Sequence, residues 1–301
     1  MTASERPPID FPSRVGVWWS SETWPTPDAQ AVARDIEGLG FGSLFIPEVS
    51  GKECLTQSMA LLSATERLVV GTGIANIHVR LPTAAESGAR TLNALFPRRF
   101  ILGLGVSHAP LVEHHLGGSY AKPLATMTDY LDRMSAVSTS IEPGADRPVR
   151  LLAALGPKMI ELAGTHADGA HPYLVTPAQT ATTRKILGTE KWIVSEQAVV
   201  VDGPADEQLD YARAHLQAYS ALPNYRNSWL RQGFDESDIT GGGSDRLVRG
   251  LVGLGSPDEA ANAVRVHLDA GADHVVVQVL GPKPIVDPRP MLRTLSSALG
   301  L

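Results

Sequence analysis

The sequence predicts a parallel α/β fold, and among such folds it favours a (β/α)8 barrel. The chain has 301 residues, 43% hydrophobic and 19% charged, a length usual for one barrel of roughly 250 residues with insertions. Eight short apolar segments alternate along it with segments that have the apolar spacing of helices. Eight is the number of strands that closes a barrel, and a doubly wound sheet is the structural alternative.

The first four strands are apolar runs without polar alternation, which is typical of parallel strands covered on both faces. They are predicted at residues 15–19, 43–46, 68–74 and 100–105, with helices at 25–39, 55–66 and 82–95. Pro25 and Asp28 begin the first helix, and Gly40 ends it as a C-cap glycine.

The second half of the chain repeats this rhythm. Strands are predicted at 149–155, 169–173, 192–201 and 274–279, and helices at 120–137, 158–166, 177–187, 206–220, 256–270 and 290–299. Ser256, Pro257 and Glu259 form a capping box that begins the helix predicted at 256–270, and Gly271 ends that helix.

Two segments fall outside the alternation. Residues 1–13 are polar and proline-rich and are predicted to be a loose arm before a single domain at 14–301. Residues 221–255 are predicted to be an insertion after the seventh strand. Trp229, Leu230 and Phe234 make this insertion too apolar for a solvated linker, so it is expected over the barrel mouth or against a partner subunit.

Composition excludes several classes of partner. The net charge is −6 and the basic residues are scattered, which argues against a nucleic-acid surface. Cys54 is the only cysteine, so no internal disulfide and no cysteine cage for a metal are expected. The N-terminus has no apolar signal core, and no apolar run approaches the roughly 18 residues of a membrane span. A cytoplasmic protein without a membrane partner is expected.

The fourth strand ends in the most informative position for chemistry. Gly103 and Gly105 allow close backbone approach, and Ser107 and His108 follow directly. Barrel enzymes keep their reacting groups at this end of the strands, so His108 is a candidate catalytic residue. Glu48, after the second strand, is the other ionisable candidate, with a solvated loop carboxylate as the alternative.

Two glycine-containing turns could hold a ligand. Gly71, Gly73, Ile74 and Asn76 suggest a backbone distortion beside a planar ligand or an ordinary bulge at the end of the third strand. The sequence Leu-Gly-Pro-Lys at 155–158 passes from a strand into a helix. Its free N–H groups and its lysine could bind a phosphate, or the segment could be a simple tight turn with proline at N1.

Other chemistries are disfavoured. A metal site at His108, Glu113, His114 and His115 would take its ligands from one loop, whereas a metal-dependent barrel needs them on several strand ends. No metal is therefore predicted. The chain has no Gly-x-Ser-x-Gly elbow, and Gly103-x-Gly105 lacks the third glycine of a dinucleotide fingerprint.

Together these fragments resemble the bacterial-luciferase-like superfamily. The segments are Gly-Thr-Gly-Ile-x-Asn at 71–76, Phe-Ile-Leu-Gly-Leu-Gly at 100–105, and Ala-Ala-Leu-Gly-Pro-Lys-Met at 153–159 with Ala-Asp-Gly at 167–169. The blocks at 108–113, 168–177 and 222–227 are similar to an actinobacterial subfamily of its branch that uses the deazaflavin coenzyme F420. The resemblance extends from about residue 14 to 300.

The resemblance implies a barrel, usually dimeric, with an isoalloxazine-like ring at the C-terminal ends of the strands. It implies a non-prolyl cis bond at Gly73–Ile74 behind the ring, with Asn76 near the ring edge. In sugar-phosphate-oxidising relatives a Glu after strand four and a His after strand two transfer protons. Here His108 follows strand four and Glu48 follows strand two, so the two residue types are exchanged. The implied cofactor residues are Gly73, Ile74, Asn76, Gly105, Val106, Ser107, Ala153, Ala154, Leu155, Gly156, Pro157, Lys158 and Tyr173.

The resulting hypothesis is a homodimeric F420-dependent oxidoreductase that acts on a small organic substrate. The alternatives are an FMN-dependent monooxygenase and a flavin-binding or deazaflavin-binding protein without catalysis, since fold alone does not decide function. Trp18, Trp19, Tyr173 and Trp229, expected at the mouth, suggest an apolar or aromatic substrate.

Overall fold

Eight parallel strands close into a barrel, as predicted. The computed structural model describes residues 7–49, 51–137, 147–282 and 287–301. The strands are β1 Val15–Trp18, β2 Ser43–Ile46, β3 Val69–Thr72, β4 Ala75–Asn76, β5 Phe100–Gly105, β6 Val149–Leu152, β7 Gly169–Ala170, β8 Trp192–Val199, β9 Val252–Gly253 and β10 His274–Val279. The ring runs β1-β2-β3-β5-β6-β7-β8-β10, and β10 closes it by pairing with both β8 and β1. The two-residue strands β4 and β9 pair with β5 and β8 at their C-terminal ends.

Helices surround the barrel on the outside. They are α1 Thr26–Gly38, α2 Cys54–Ser63, α3 Pro82–Leu95, α4 Pro123–Ser135, α5 Pro157–His166, α6 Pro177–Leu187, α7 Ala205–Ser220, α8 Pro223–Arg231, α9 Glu236–Ile239, α10 Asp245–Leu251, α11 Pro257–Asp269 and α12 Arg289–Leu299, with a π-helical turn at Leu111–His115. The predicted capping box at Ser256 and Glu259 begins α11. In the parts of the chain that the structure describes, no helix is long and apolar enough to cross a membrane.

The apolar core has two layers because successive side chains of a strand point to opposite faces. Val17 of β1 and Leu44 of β2 pack outward against the helices. Their neighbours Trp18 and Phe45 pack into the barrel interior. This alternation explains why the strands are apolar throughout rather than at every second position.

The described part of the N-terminal arm closes the bottom of the barrel, so the prediction of a loose arm is wrong for residues 7–13. Phe11 stacks on His274, with ring centroids 4.0 Å apart, and meets Trp192 edge-on at 5.7 Å. The Trp192 indole N–H donates to the carbonyl of Pro7 at 3.0 Å. Residues 1–6 lie outside the described residues.

Several strands end earlier than predicted, at the C-terminal end of the barrel where its mouth lies. The predicted strand 169–173 is β7 of two residues, because Pro172 cannot donate to a neighbouring strand. The predicted strand 68–74 stops at Thr72 and resumes as β4 after the Gly73–Ile74 bond. The predicted strand 149–155 stops at Leu152. The residues beyond these strand ends therefore form turns and do not extend the sheet.

Residues 221–255, called the mouth segment below, fold as α8, α9, α10 and β9. Trp229 is fully buried and its indole N–H donates to the carbonyl of Leu174 at 3.1 Å. Phe234 is also buried. The mouth segment is thus anchored in the core and is not a solvated linker.

Candidate active site

A cavity of about 460 Å³ opens at the C-terminal ends of the barrel strands. It is lined by most of the predicted site residues: Glu48, Gly73, Ile74, Gly105, Val106, Ser107, His108, Ala153, Ala154, Leu155, Gly156 and Tyr173. Asn76, Pro157 and Lys158 lie next to these residues in the chain but do not line the cavity. The fold therefore brings together residues from Glu48 to Tyr173, which are 125 positions apart in the sequence.

The floor of the cavity is the turn between β3 and β4. The Gly73–Ile74 peptide bond is cis, as predicted. The Trp18 indole N–H donates to the carbonyl of Gly73 at 2.9 Å. A methyl group on Gly105 would lie 2.6 Å from the Ile74 side chain, so glycine at 105 leaves room for that side chain against the floor.

Gly73 has no room for a side chain. A methyl group there would lie 2.7 Å from Trp18 Nε1 and 3.0 Å from His171 Nε2, both on buried residues. We expect Gly73→Ala to lower the free energy of unfolding by about 1–3 kcal/mol through overpacking, measured by urea denaturation. Gly38→Ala is the control, because nothing lies within 4 Å of its added methyl group at the end of α1. Equal stability of the two variants would contradict the crowding at Gly73.

His108 lies on the cavity wall next to the mouth segment. Ser107 has a positive φ of 59°, which turns the chain after β5. The imidazole ring lies 5.6 Å from the Tyr225 ring, and its Nδ1 is buried without a hydrogen-bond partner among the described residues. Burial lowers the pKa of His108 below 6.5, and the nearby Asn224 side chain opposes this only in part. His108 is therefore neutral at pH 7 and able to accept a proton.

Glu48 reaches the cavity wall with its carboxylate already bonded to protein donors. Arg80 donates to both of its oxygens, to Oε2 at 2.8 Å. The backbone N–H groups of Asn76 and Cys54 donate at 2.8 and 3.3 Å. Because four donors occupy this carboxylate, its evident effect is to hold the turn after β4 against the loop after β2.

The acidic group near Glu48 is an ion-pair network. Donor atoms of Glu48, Glu53 and Cys54 lie within 4.8 Å of one another, a spacing that could hold a cation. Arg80 bonds to both carboxylates, however, and burial raises the pKa of the Cys54 thiol. His114 and His115, considered above as metal ligands, are exposed on the π-helical turn.

Asn76 carries a buried donor without a partner. Its Oδ1 accepts from the N–H of His78 at 3.0 Å, and its own N–H donates to Glu48. Its Nδ2 is buried and has no hydrogen-bond partner among the described residues. Buried amides normally have partners, and this one keeps the capacity to donate to a further acceptor.

Tyr173, Tyr219 and Tyr225 also line the cavity. The Tyr173 hydroxyl donates to Gln278 Oε1 at 2.6 Å and lies 3.0 Å from the Tyr219 hydroxyl. Burial raises the pKa of Tyr219 to about 12 and that of Tyr225 as well, so both stay protonated. Tyr219, Asn224 and Tyr225 were not predicted as site residues: the block at 222–227 was noticed, but nothing in a single sequence places α7 and α8 beside His108.

Two further titratable groups are buried in this region. His171 lines the cavity; its Nδ1 is 2.7 Å from the carbonyl of Val194, and burial lowers the pKa of this histidine to about 4. Glu196 of β8 accepts from the N–H of Leu174 at 3.0 Å, and burial raises its pKa to about 8. Both are therefore mainly uncharged at pH 7.

The start of α5 also forms part of the cavity wall, through Gly156. Gly156 is the N-cap and Pro157 occupies the first helical turn. Lys158 is exposed and follows directly. A ten-residue helix carries partial positive charge at this end, so the turn can attract an anionic group.

Comparison with known proteins identifies the family. The family described as luciferase-like monooxygenase matches residues 10–274. Rv3520c of Mycobacterium tuberculosis, named as a putative coenzyme F420-dependent oxidoreductase, is 31% identical in a 195-residue alignment that covers 54% of this chain and 55% of that relative. This match thus spans about half the length of each protein.

Solved structures of similar fold include an F420-dependent secondary alcohol dehydrogenase in complex with an F420–acetone adduct (TM-score 0.75, 15% identity, 95% of this chain and 99% of that one). Another is the oxygenating constituent of a Pseudomonas putida diketocamphane monooxygenase with FMN (TM-score 0.69, 13% identity, 95% and 98%). At these identities the likeness concerns the fold. With the family match over most of its length, the chain belongs to the luciferase-like monooxygenase family.

Proposed function

We propose that this protein is an oxidoreductase that transfers a hydride between coenzyme F420 and a small organic substrate. The observation that carries the proposal is the single cavity shared by the Gly73–Ile74 floor, His108 and the start of α5. The name of Rv3520c and the F420–acetone adduct in the alcohol dehydrogenase support the choice of F420.

The residues present fit such a cofactor. The flat floor at Gly73 and Ile74 would take a planar ring, and the unpartnered Asn76 Nδ2 would donate to a ring-edge acceptor. The start of α5 and Lys158 would bind the acidic tail. The bound coenzyme supplies the hydride chemistry, and the protein supplies orientation and proton transfer.

His108 would move the proton that accompanies hydride transfer. When an alcohol carbon loses a hydride, its hydroxyl must lose a proton, and a neutral imidazole on the cavity wall can accept it. In the reverse direction the protonated imidazole returns the proton. The Tyr225 ring packs 5.6 Å from the imidazole, and Glu48, bonded to Arg80, holds the turn that carries Asn76.

The substrate would be uncharged and largely apolar. Trp18, Tyr173, Tyr219 and Tyr225 line the cavity, and the hydroxyl groups there offer neutral hydrogen bonds. Of the ionisable side chains on the described cavity wall, Glu48 is paired with Arg80 and both histidines are neutral at pH 7. A charged substrate group would therefore lie there without a counter-ion.

An FMN-dependent monooxygenase is the second candidate. It is favoured by the structural likeness to an FMN-bound monooxygenase and by a floor that would accept either ring. The two candidates differ in the tail of the cofactor, which is longer and more acidic in F420.

Titration of the protein with F420 and with FMN, followed by fluorescence, tests the proposal. We expect F420 to bind more tightly, because its acidic tail can use Lys158 and the amide groups at Gly156. Lys158→Glu should weaken F420 binding by about three- to tenfold through charge reversal at the helix N-terminus. Lys185→Glu, the same charge change at the exposed end of α6, should leave it unchanged. FMN binding as tight as that of F420 would favour the monooxygenase.

A further inference from the structure

Arg231, the last residue of α8, lies over the turn that begins α5. Its Nη2 donates to the carbonyl of Leu155 at 3.3 Å. The same nitrogen is 3.5 Å from the point that a Cβ on Gly156 would occupy. Leu155 and Gly156 both line the cavity, so the mouth segment brings a guanidinium group to the part of the cavity wall where α5 begins.

This guanidinium has no acidic partner among the described residues. Two other arginines of the mouth segment are paired, Arg226 with Glu236 and Arg246 with Asp238. Partial burial lowers the pKa of Arg231, and no carboxylate offsets this effect. The side chain stays charged, because arginine titrates far above neutral pH, and its other N–H donors are available.

We infer that Arg231 binds the phosphate group of the cofactor, together with the N-terminus of α5. The inference rests on the proposed function, since it needs a phosphate at this turn. A guanidinium group presents a planar set of donors that matches a phosphate in a bidentate way, whereas Lys158 offers only a point charge. Helix α8 would then contact both ends of the bound molecule: Asn224 and Tyr225 near its start face His108, and Arg231 at its end faces the tail.

Binding measurements with matched ligands test the inference without any turnover. Fluorescence titration gives the Kd of F420 and of its deazariboflavin, which keeps the ring and the ribityl chain but lacks the phosphate and the acidic tail. The proteins are the wild type, Arg231→Gln and Arg226→Gln, the control that removes the same charge from the same helix. Far-ultraviolet circular dichroism checks that each variant is folded.

We expect Arg231→Gln to weaken F420 binding by about 10- to 100-fold, the effect of losing a charged hydrogen bond. Binding of the deazariboflavin should stay within about twofold, and Arg226→Gln should resemble the wild type. The loss should shrink at high salt. An unchanged Kd for F420, or an equal loss for the deazariboflavin, would overturn the role of Arg231.

Failure of the proposed function would look different. If the wild type binds FMN and not F420, F420 is the wrong cofactor, and the same comparison is made between FMN and riboflavin. Loss of FMN binding alone in Arg231→Gln then keeps the phosphate contact. If the wild type binds none of these ligands, both the proposed function and the inference fall.

Discussion

Replacing His108 by alanine should lower turnover by about 10²–10⁴-fold while the affinity for the cofactor stays nearly unchanged. The imidazole lies on the cavity wall and is neutral at pH 7 because burial lowers its pKa. Alanine removes the proton acceptor but leaves the floor at Gly73 and the start of α5 intact. Steady-state kinetics and a cofactor titration on the same preparation measure the two effects separately.

The pH profile gives this prediction a second readout. In the direction of substrate oxidation, neutral His108 is the active form, so the rate should fall as pH drops through its pKa, below 6.5. His114→Ala is the control, since that histidine is exposed on the π-helical turn. If His108→Ala keeps its turnover, or if only cofactor binding collapses, His108 is a wall residue and Glu48 or His171 becomes the next candidate.

Arg80→Met should lower the free energy of unfolding by about 3–5 kcal/mol, because it leaves the buried Glu48 carboxylate without its counter-ion. The side chains of Arg80 and Glu48 are only 9% and 6% exposed. The same substitution at Arg133, whose pair with Asp129 is largely exposed, should cost less than about 1 kcal/mol. Urea denaturation of both variants gives the comparison, and similar costs would contradict a structural role for the buried pair.

The sequence predicted what depends on local pattern. Apolar runs and their alternation with helices sufficed for the barrel, because each parallel strand is buried on both faces whatever its neighbours are. The turns at Gly73 and Gly156 could also be predicted from local sequence, because glycine and proline at the end of a strand indicate an unusual backbone conformation. The family resemblance added the cis bond at Gly73–Ile74, which the structure confirms.

What could not be predicted depends on contacts between distant segments. Glu48 was predicted as a catalytic candidate or a solvated loop carboxylate, and its ion pair was not predicted, because its partner Arg80 is 32 residues away and beyond another strand. Arg231 reaches Leu155 across 76 residues, and no local pattern distinguishes it from its paired neighbour Arg226. Residues 1–13 were predicted to be a loose arm, yet Phe11 stacks on His274, which is distant in the sequence.

A crystal structure of the protein with F420 would test the central proposal most directly. We expect the deazaflavin ring on the Gly73–Ile74 floor, the phosphate at Gly156 within reach of Arg231, and open space beside His108 for a small substrate. A ring bound elsewhere, or a cavity that holds FMN and excludes F420 under the same conditions, would contradict F420-dependent hydride transfer at this site.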